Sequence, residues 1–152
     1  MSLLKNWSND EYNTLEKGVI LANHTLPETG LFTDEGLAGL IDNHPDEDIT
    51  IATMGDDPSK FEWIEGERDG ATGQQIVELV HAGKLWVSMR NTLAHHTALK
   101  EVVNQLYDQL EANAPHFKAN DRTANLLISS STAMVPYPVS YTHLTLPTKR
   151  IV

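Results

Sequence analysis

The order of local signals predicts an α+β fold, with helices early in the chain and strands late. Three stretches carry that prediction. Lys84 to Arg90, KLWVSMR, alternates Leu85, Val87 and Met89 against Trp86, Ser88 and Arg90. That is the period of a strand with one face on a core. From about Thr97 to Ala112, Leu99, Val102, Val103, Leu106, Tyr107 and Leu110 fall at i, i+3, i+4, i+7, i+8 and i+11, the stripe of an amphipathic helix. Asn125 to Tyr137, NLLISSSTAMVPY, gives an apolar strand at Leu126-Leu127-Ile128, a small polar turn from Ser129 to Ala133, and a second strand from Met134.

The remaining elements follow in order. Ser8-Asn9-Asp10-Glu11 matches a capping box and starts a short helical turn. After Gly18, the apolar run Val19-Ile20-Leu21-Ala22 reads as a strand, and Pro27 to Gly30 as a turn. Thr33 caps a helix whose first turn holds Asp34 and Glu35, acids placed at the positive end of the dipole. Leu37, Leu40 and Ile41 are its buried face, and Asn43-His44-Pro45 ends it, because a residue before proline avoids the α region. Ile49 to Met54 alternates as a half-buried strand. Gly55 to Gly73 reads as a loop whose Phe61, Trp63 and Ile64 pin it to the core. Thr72 with Gln75 makes a second capping box, Ile76, Val77, Leu79 and Val80 form that helix's apolar side, and Gly83 closes it. Pro115 stops the long helix. No internal repeat or low-complexity tract interrupts the chain.

Composition narrows the function classes. The 152 residues suggest one domain, and 40% apolar content supports a sizeable core. No run of 18 apolar residues is present, and MSLLKNWSNDEY has no apolar region after its charge, so neither a membrane span nor a secretory signal is expected. The absence of Cys excludes disulfides and thiolate metal sites and fits a reducing cytoplasm. A net charge of −10 disfavours nonspecific nucleic-acid binding, which draws its affinity from Lys and Arg on phosphates.

Four phrases carry a resemblance: LFTDEGLAGLID, TMGDDP, GKLWVSMR and LLISSSTAMVPY, within Val19 to Tyr137. Together they resemble bacterial cupin-like proteins related to the JmjC oxygenases. The resemblance implies a helical N-terminal region followed by a double-stranded β-helix, a jelly roll of which this chain holds only the first strands. In that family, the strand after this last phrase continues as His-X-Asp, and two His with one carboxylate hold Fe(II) beside 2-oxoglutarate. Position 138, where the first His would fall, is Pro138, and no Asp follows it. The intact parent is therefore expected to be an Fe(II)/2-oxoglutarate-dependent hydroxylase acting on a protein side chain. This chain is expected to be inactive, with no metal ligands, no catalytic residues and no cofactor of its own. Trp86, Arg90, Ser129 and Tyr137 are the residues expected to line the substrate pocket of the intact parent. The alternative is an acidic, non-enzymatic domain: a protein-interaction module, or a regulatory or sugar-binding cupin-like protein that never used iron.

The last 15 residues, Pro138 to Val152, change character. Val139 to Thr148, VSYTHLTLPT, is what GTC TCT TAT ACA CAT CTG ACG CTG CCG ACG encodes, and that string resembles a transposon-library sequencing adapter. A codon beginning with C, joined to an adapter beginning CT, gives CCT and hence Pro138; His codons begin with C. Residues 1–137 are thus read as the incomplete cupin-like domain and 138–152 as a non-native tail outside the fold. Without the tail, which carries Lys149 and Arg150 and no acid, the net charge of −10 becomes −12.

Other chemistry finds little support. The seven His (His24, His44, His81, His95, His96, His116 and His143) sit in scattered contexts without H-E-x-x-H or a pair at i, i+4. His95 and His96 precede the long helix, point to different faces, and read as surface or capping residues. Asp56-Asp57-Pro58 is explained by a turn begun by Asp before Pro rather than by cation binding. The glycines form neither a phosphate loop nor a dinucleotide fingerprint, and no Ser/His/Asp arrangement shows in the spacing.

Overall fold

The structure is a computed structural model that describes residues 2–54, 63–83 and 85–131. Its N-terminal end is a small ribbon and helix. β1 (Leu4–Lys5) leads to α1 (Asn9–Thr14) and returns to β2 (Asn23–His24), which pairs antiparallel with β1. The first capping box is present: the Asp10 N–H donates to the Ser8 hydroxyl, and the Ser8 N–H donates to the Glu11 carboxylate at 2.8 Å. The expected strand at Val19 to Ala22 is absent. Val19 is 86% exposed and Leu21 90%, and pairing begins only at Asn23, opposite Lys5. An apolar run makes a strand only where another strand lies alongside it, and among the described residues none pairs with Val19.

A 3-10 turn, Leu26–Thr29, ends at Gly30 with φ +75°, and α2 (Asp34–Asp42) follows. Thr33 caps α2 by accepting from the Gly36 N–H at 3.1 Å, and Leu37, Leu40 and Ile41 are buried as the spacing predicts. At the far end, Arg68 donates to the Ile41 carbonyl at 2.6 Å and to the Asp46 carboxylate, so a long-range cation joins the His44 N–H on a carbonyl of the last helical turn.

Four strands then form one antiparallel sheet: β3 (Ile49–Met54), β4 (Trp63–Gly66), β5 (Leu85–Met89) and β6 (Leu126–Ser129), in the order β4-β3-β5-β6. β4 corrects the reading of Gly55 to Gly73 as a loop. Trp63 to Gly66 pairs with Met54 back to Ile51, and Ile64 is 68% exposed, so it does not pin anything to the core. Four residues with one glycine carry little strand signal; the ladder to β3 supplies what the sequence lacks. Phe61 and the Trp63 side chain lie outside the described residues.

α3 (Gly73–Ala82) packs with α2 on one face of the sheet. Its capping box is as expected, with the Gln75 N–H donating to the Thr72 hydroxyl and the Thr72 N–H to the Gln75 side chain. Ile76, Val77 and Val80 enter the core, but Leu79 is 55% exposed, because the other three already span the face toward α2 and the sheet. Leu37, Ile41, Ile76, Val80, Val87, Met89 and Ile128 belong to this core. Gly73 allows the close crossing: a Cβ there would stand 2.0 Å from the Ala38 carbonyl oxygen, and its N–H donates to Asp42 Oδ1 at 2.6 Å.

A second core gathers on the long helix. α4 (Thr92–His95), a short helix the sequence did not signal, precedes α5 (Thr97–Asn113). Leu99, Leu106 and Leu110 are buried, and Val102, Val103 and Tyr107 half-buried, in keeping with the predicted stripe. Leu106, Leu110 and Ala114 pack with Leu3, Leu4, Tyr12, Leu15 and Leu26, and Phe32 packs against both cores. The Gln109 side chain accepts from the Leu3 and Leu4 N–H groups and donates to the Tyr12 hydroxyl, tying the N-terminal ribbon to α5.

The α+β class therefore holds, with strands and helices interleaved rather than sorted along the chain. Among the described residues, the strands form this sheet and the β1–β2 ribbon, and no double-stranded β-helix closes. No described helix is long and apolar enough to cross a membrane. Met134 to Tyr137, Asp56 to Pro58, and the 137/138 boundary with its tail lie outside the described residues.

Candidate functional site

Of the pocket residues expected from sequence, Trp86 and Ser129 share one face of the sheet. In register, Ala52, Trp86 and Ser129 form one cross-strand row, and Thr50, Ser88 and Leu127 the next. Both rows are on the face turned away from α2 and α3, since Leu85, Val87, Met89, Leu126 and Ile128 point into the core. Trp86 and Ser129 are half-buried. Arg90 extends the same parity, but its guanidinium is engaged: it donates to Thr50 Oγ1 at 2.8 Å and to the Glu47 carbonyl at 2.7 Å. Tyr137 lies outside the described residues. Ser130, the neighbour of Ser129, has the structural role. Its hydroxyl accepts from the Leu85 N–H at 2.9 Å and donates to the Val80 carbonyl at 2.6 Å, joining β6, β5 and the end of α3.

The most concentrated chemistry lies elsewhere and overturns the scattered reading of the histidines. His44, His95 and His96 come together around Asp48. Asp48 closes the 3-10 turn Asp46–Asp48 that leads into β3, and its carbonyl accepts from the Arg90 N–H at 2.8 Å. Asn91, held at φ +54°, donates to both Asp48 carboxylate oxygens at 3.3 Å. His95 Nε2 lies 2.9 Å from Asp48 Oδ2. His44 is 2% exposed and His96 7%. Their rings meet at 2.9 Å, Nδ1 of His44 to Nε2 of His96, while His44 Nε2 stands 3.2 Å from the Asp48 carbonyl.

That geometry fixes the protons. A carbonyl only accepts, so His44 carries its hydrogen on Nε2 and offers the Nδ1 lone pair. His96 must then donate from Nε2. His95 likewise donates from Nε2 to the Asp48 carboxylate. Burial, first of all, pushes the pKa of His44 below the ordinary histidine value; the Asp48 carbonyl partly opposes this, and nearby His95 adds to it. Burial and then the neighbouring His44 and His95 lower that of His96. The Asp48 carboxyl is lowered by the hydrogen bonds from His95 and then Asn91.

This cluster does not fit Fe(II). The facing nitrogens of His44 and His96 are spent on one hydrogen bond, and among the described residues no group of three or more His, Cys, Asp or Glu is placed to hold a metal ion. His44-Pro45-Asp46 has His-X-Asp spacing, yet the Asp46 carboxylate pairs with Arg68. An Asp–His pair such as Asp48–His95 suits a general base; an open cleft of about 650 Å³ lies apart from it, lined by Trp7, Tyr12 and Gln109. His81 pairs with Asp34, and His116 donates to the Leu15 carbonyl, both away from this cluster. The cluster was hidden in the sequence because His44 and His96 are 52 positions apart and share no periodic pattern. Comparisons with family models, curated proteins and solved structures found no match to this chain.

Proposed function

We propose that residues 1–137 are the first part of a cupin-like, JmjC-related domain whose intact form is an Fe(II)/2-oxoglutarate-dependent hydroxylase of protein side chains. The observation that carries the reading is the common face of Trp86 and Ser129. Two of the resembling phrases, GKLWVSMR and LLISSSTAMVPY, contain the neighbouring strands β5 and β6, and they put these residues on the side free of α2 and α3. In the sequence, β6 is followed by Tyr137, after which the family carries its first metal ligands. On this reading the 152-residue chain has no hydroxylase activity, because Pro138 stands where the first ligand belongs.

The second reading, an acidic regulatory or interaction domain without iron, is supported by the net charge of −10 and needs no metal ligand. The two separate in one assay. The complete reading frame that contains residues 1–137 should turn over 2-oxoglutarate to succinate in the presence of Fe(II), and Trp86→Phe, which keeps an aromatic ring in β5, should reduce that turnover. A complete frame that never turns over 2-oxoglutarate under these conditions contradicts the oxygenase reading and leaves the interaction reading.

A further inference from the structure

We infer that the His44–His96 contact is an acid-released clasp, holding the end of α2 and the sheet core to the start of α5, and parting when both rings carry a proton. The contact has one hydrogen and one lone pair: His96 Nε2–H donates to His44 Nδ1 at 2.9 Å. A first added proton can enter at His96 Nδ1, and the bond survives with His96 as the charged donor. A second proton has one place left, His44 Nδ1, because His44 Nε2–H is already directed at the Asp48 carbonyl. Two N–H groups on two cations then face each other at hydrogen-bond distance, and the rings must separate.

The surroundings give those charges little relief. From the turn before β3, Asp48 is engaged by His95 and Asn91, Asp46 by Arg68, and the Glu47 carbonyl by Arg90. From the stretch before α3, Arg68 reaches the His44 carbonyl, and at the end of α2 Asp42 is held by the Gly73 N–H. From α4 comes His95, its ring centroid 5.1 Å from that of His44, and on α5 the Lys100 N–H bonds the His96 carbonyl. Burial lowers both pKa values from the ordinary 6.5, so the neutral pair belongs to the folded state. As pH falls below that value the unfolded chain binds more protons than the folded one, and stability falls with it.

The test uses the full chain labelled with 15N. At a pH of about 7.5 a 15N–15N coupling should be visible across the His96–His44 hydrogen bond, and it should vanish at a lower pH, together with amide protection around Ala94 to Thr97. His96→Gln keeps an N–H donor for His44 but cannot titrate, so it should remove half or more of the acid-induced drop in Tm. Absence of the coupling at the higher pH, its survival at the lower one, or an unchanged Tm–pH profile in the variant would each overturn the inference. If the variant does not fold, the coupling in the unaltered chain decides.

Discussion

Ser129 and Ser130 are adjacent, and the structure gives them opposite weights. The strand that ends at Ser129 was legible in Leu126-Leu127-Ile128, although Ser129 itself was read as the start of a turn. The role of Ser130 was not legible, because its value comes from Leu85 and Val80, which lie 45 and 50 positions away. Ser130 is 3% exposed, so Ser130→Ala strands a buried N–H and a helix-end carbonyl and should cost about 1–3 kcal/mol in urea unfolding. Ser129→Ala should stay within about 0.5 kcal/mol. Equal effects at the two positions would mean that the β5–β6 register is different. The histidines make the same point. Their roles depend on partners far along the chain; of the two read as surface or capping residues, His95 is exposed and His96 is buried. Caps, by contrast, were legible, since Thr33, Thr72 and Ser8 act on N–H groups within three residues.

At the scale of elements, periodicity found the segments that bury a regular stripe and failed where pairing decides. α5 is the clearest success. Leu106 is 3% exposed in the middle of that stripe, and Leu106→Ala should cost about 2–5 kcal/mol by creating a cavity. A loss under about 0.5 kcal/mol would place the helix on the surface. β4 and the Val19 run are the paired failures: one weak apolar pattern found a ladder, and one strong pattern found none. The α2–α3 crossing was also hidden, because a glycine after a capping threonine looks like an ordinary helix start. Gly73→Ala should destabilise the fold by about 1–3 kcal/mol, since the added methyl meets the Ala38 backbone rather than a movable side chain. A stability gain, as an open helix position would give, would contradict the packing.

For the whole molecule, two cores and the sheet from β4 to β6 are built among the described residues. Deleting Pro138 to Val152 should leave hydrogen-exchange protection of α5 almost unchanged, whereas collapse of protection throughout would make the tail an integral element. The functional proposal depends on the same boundary, since the oxygenase reading requires that the natural chain continue differently after Tyr137. The most direct measurement is the sequence of the source genomic DNA beyond codon 137. The account predicts a His codon at position 138, an Asp two codons later and a second His further on; an uninterrupted natural frame reading PVSYTHLTLPTKRIV would contradict it.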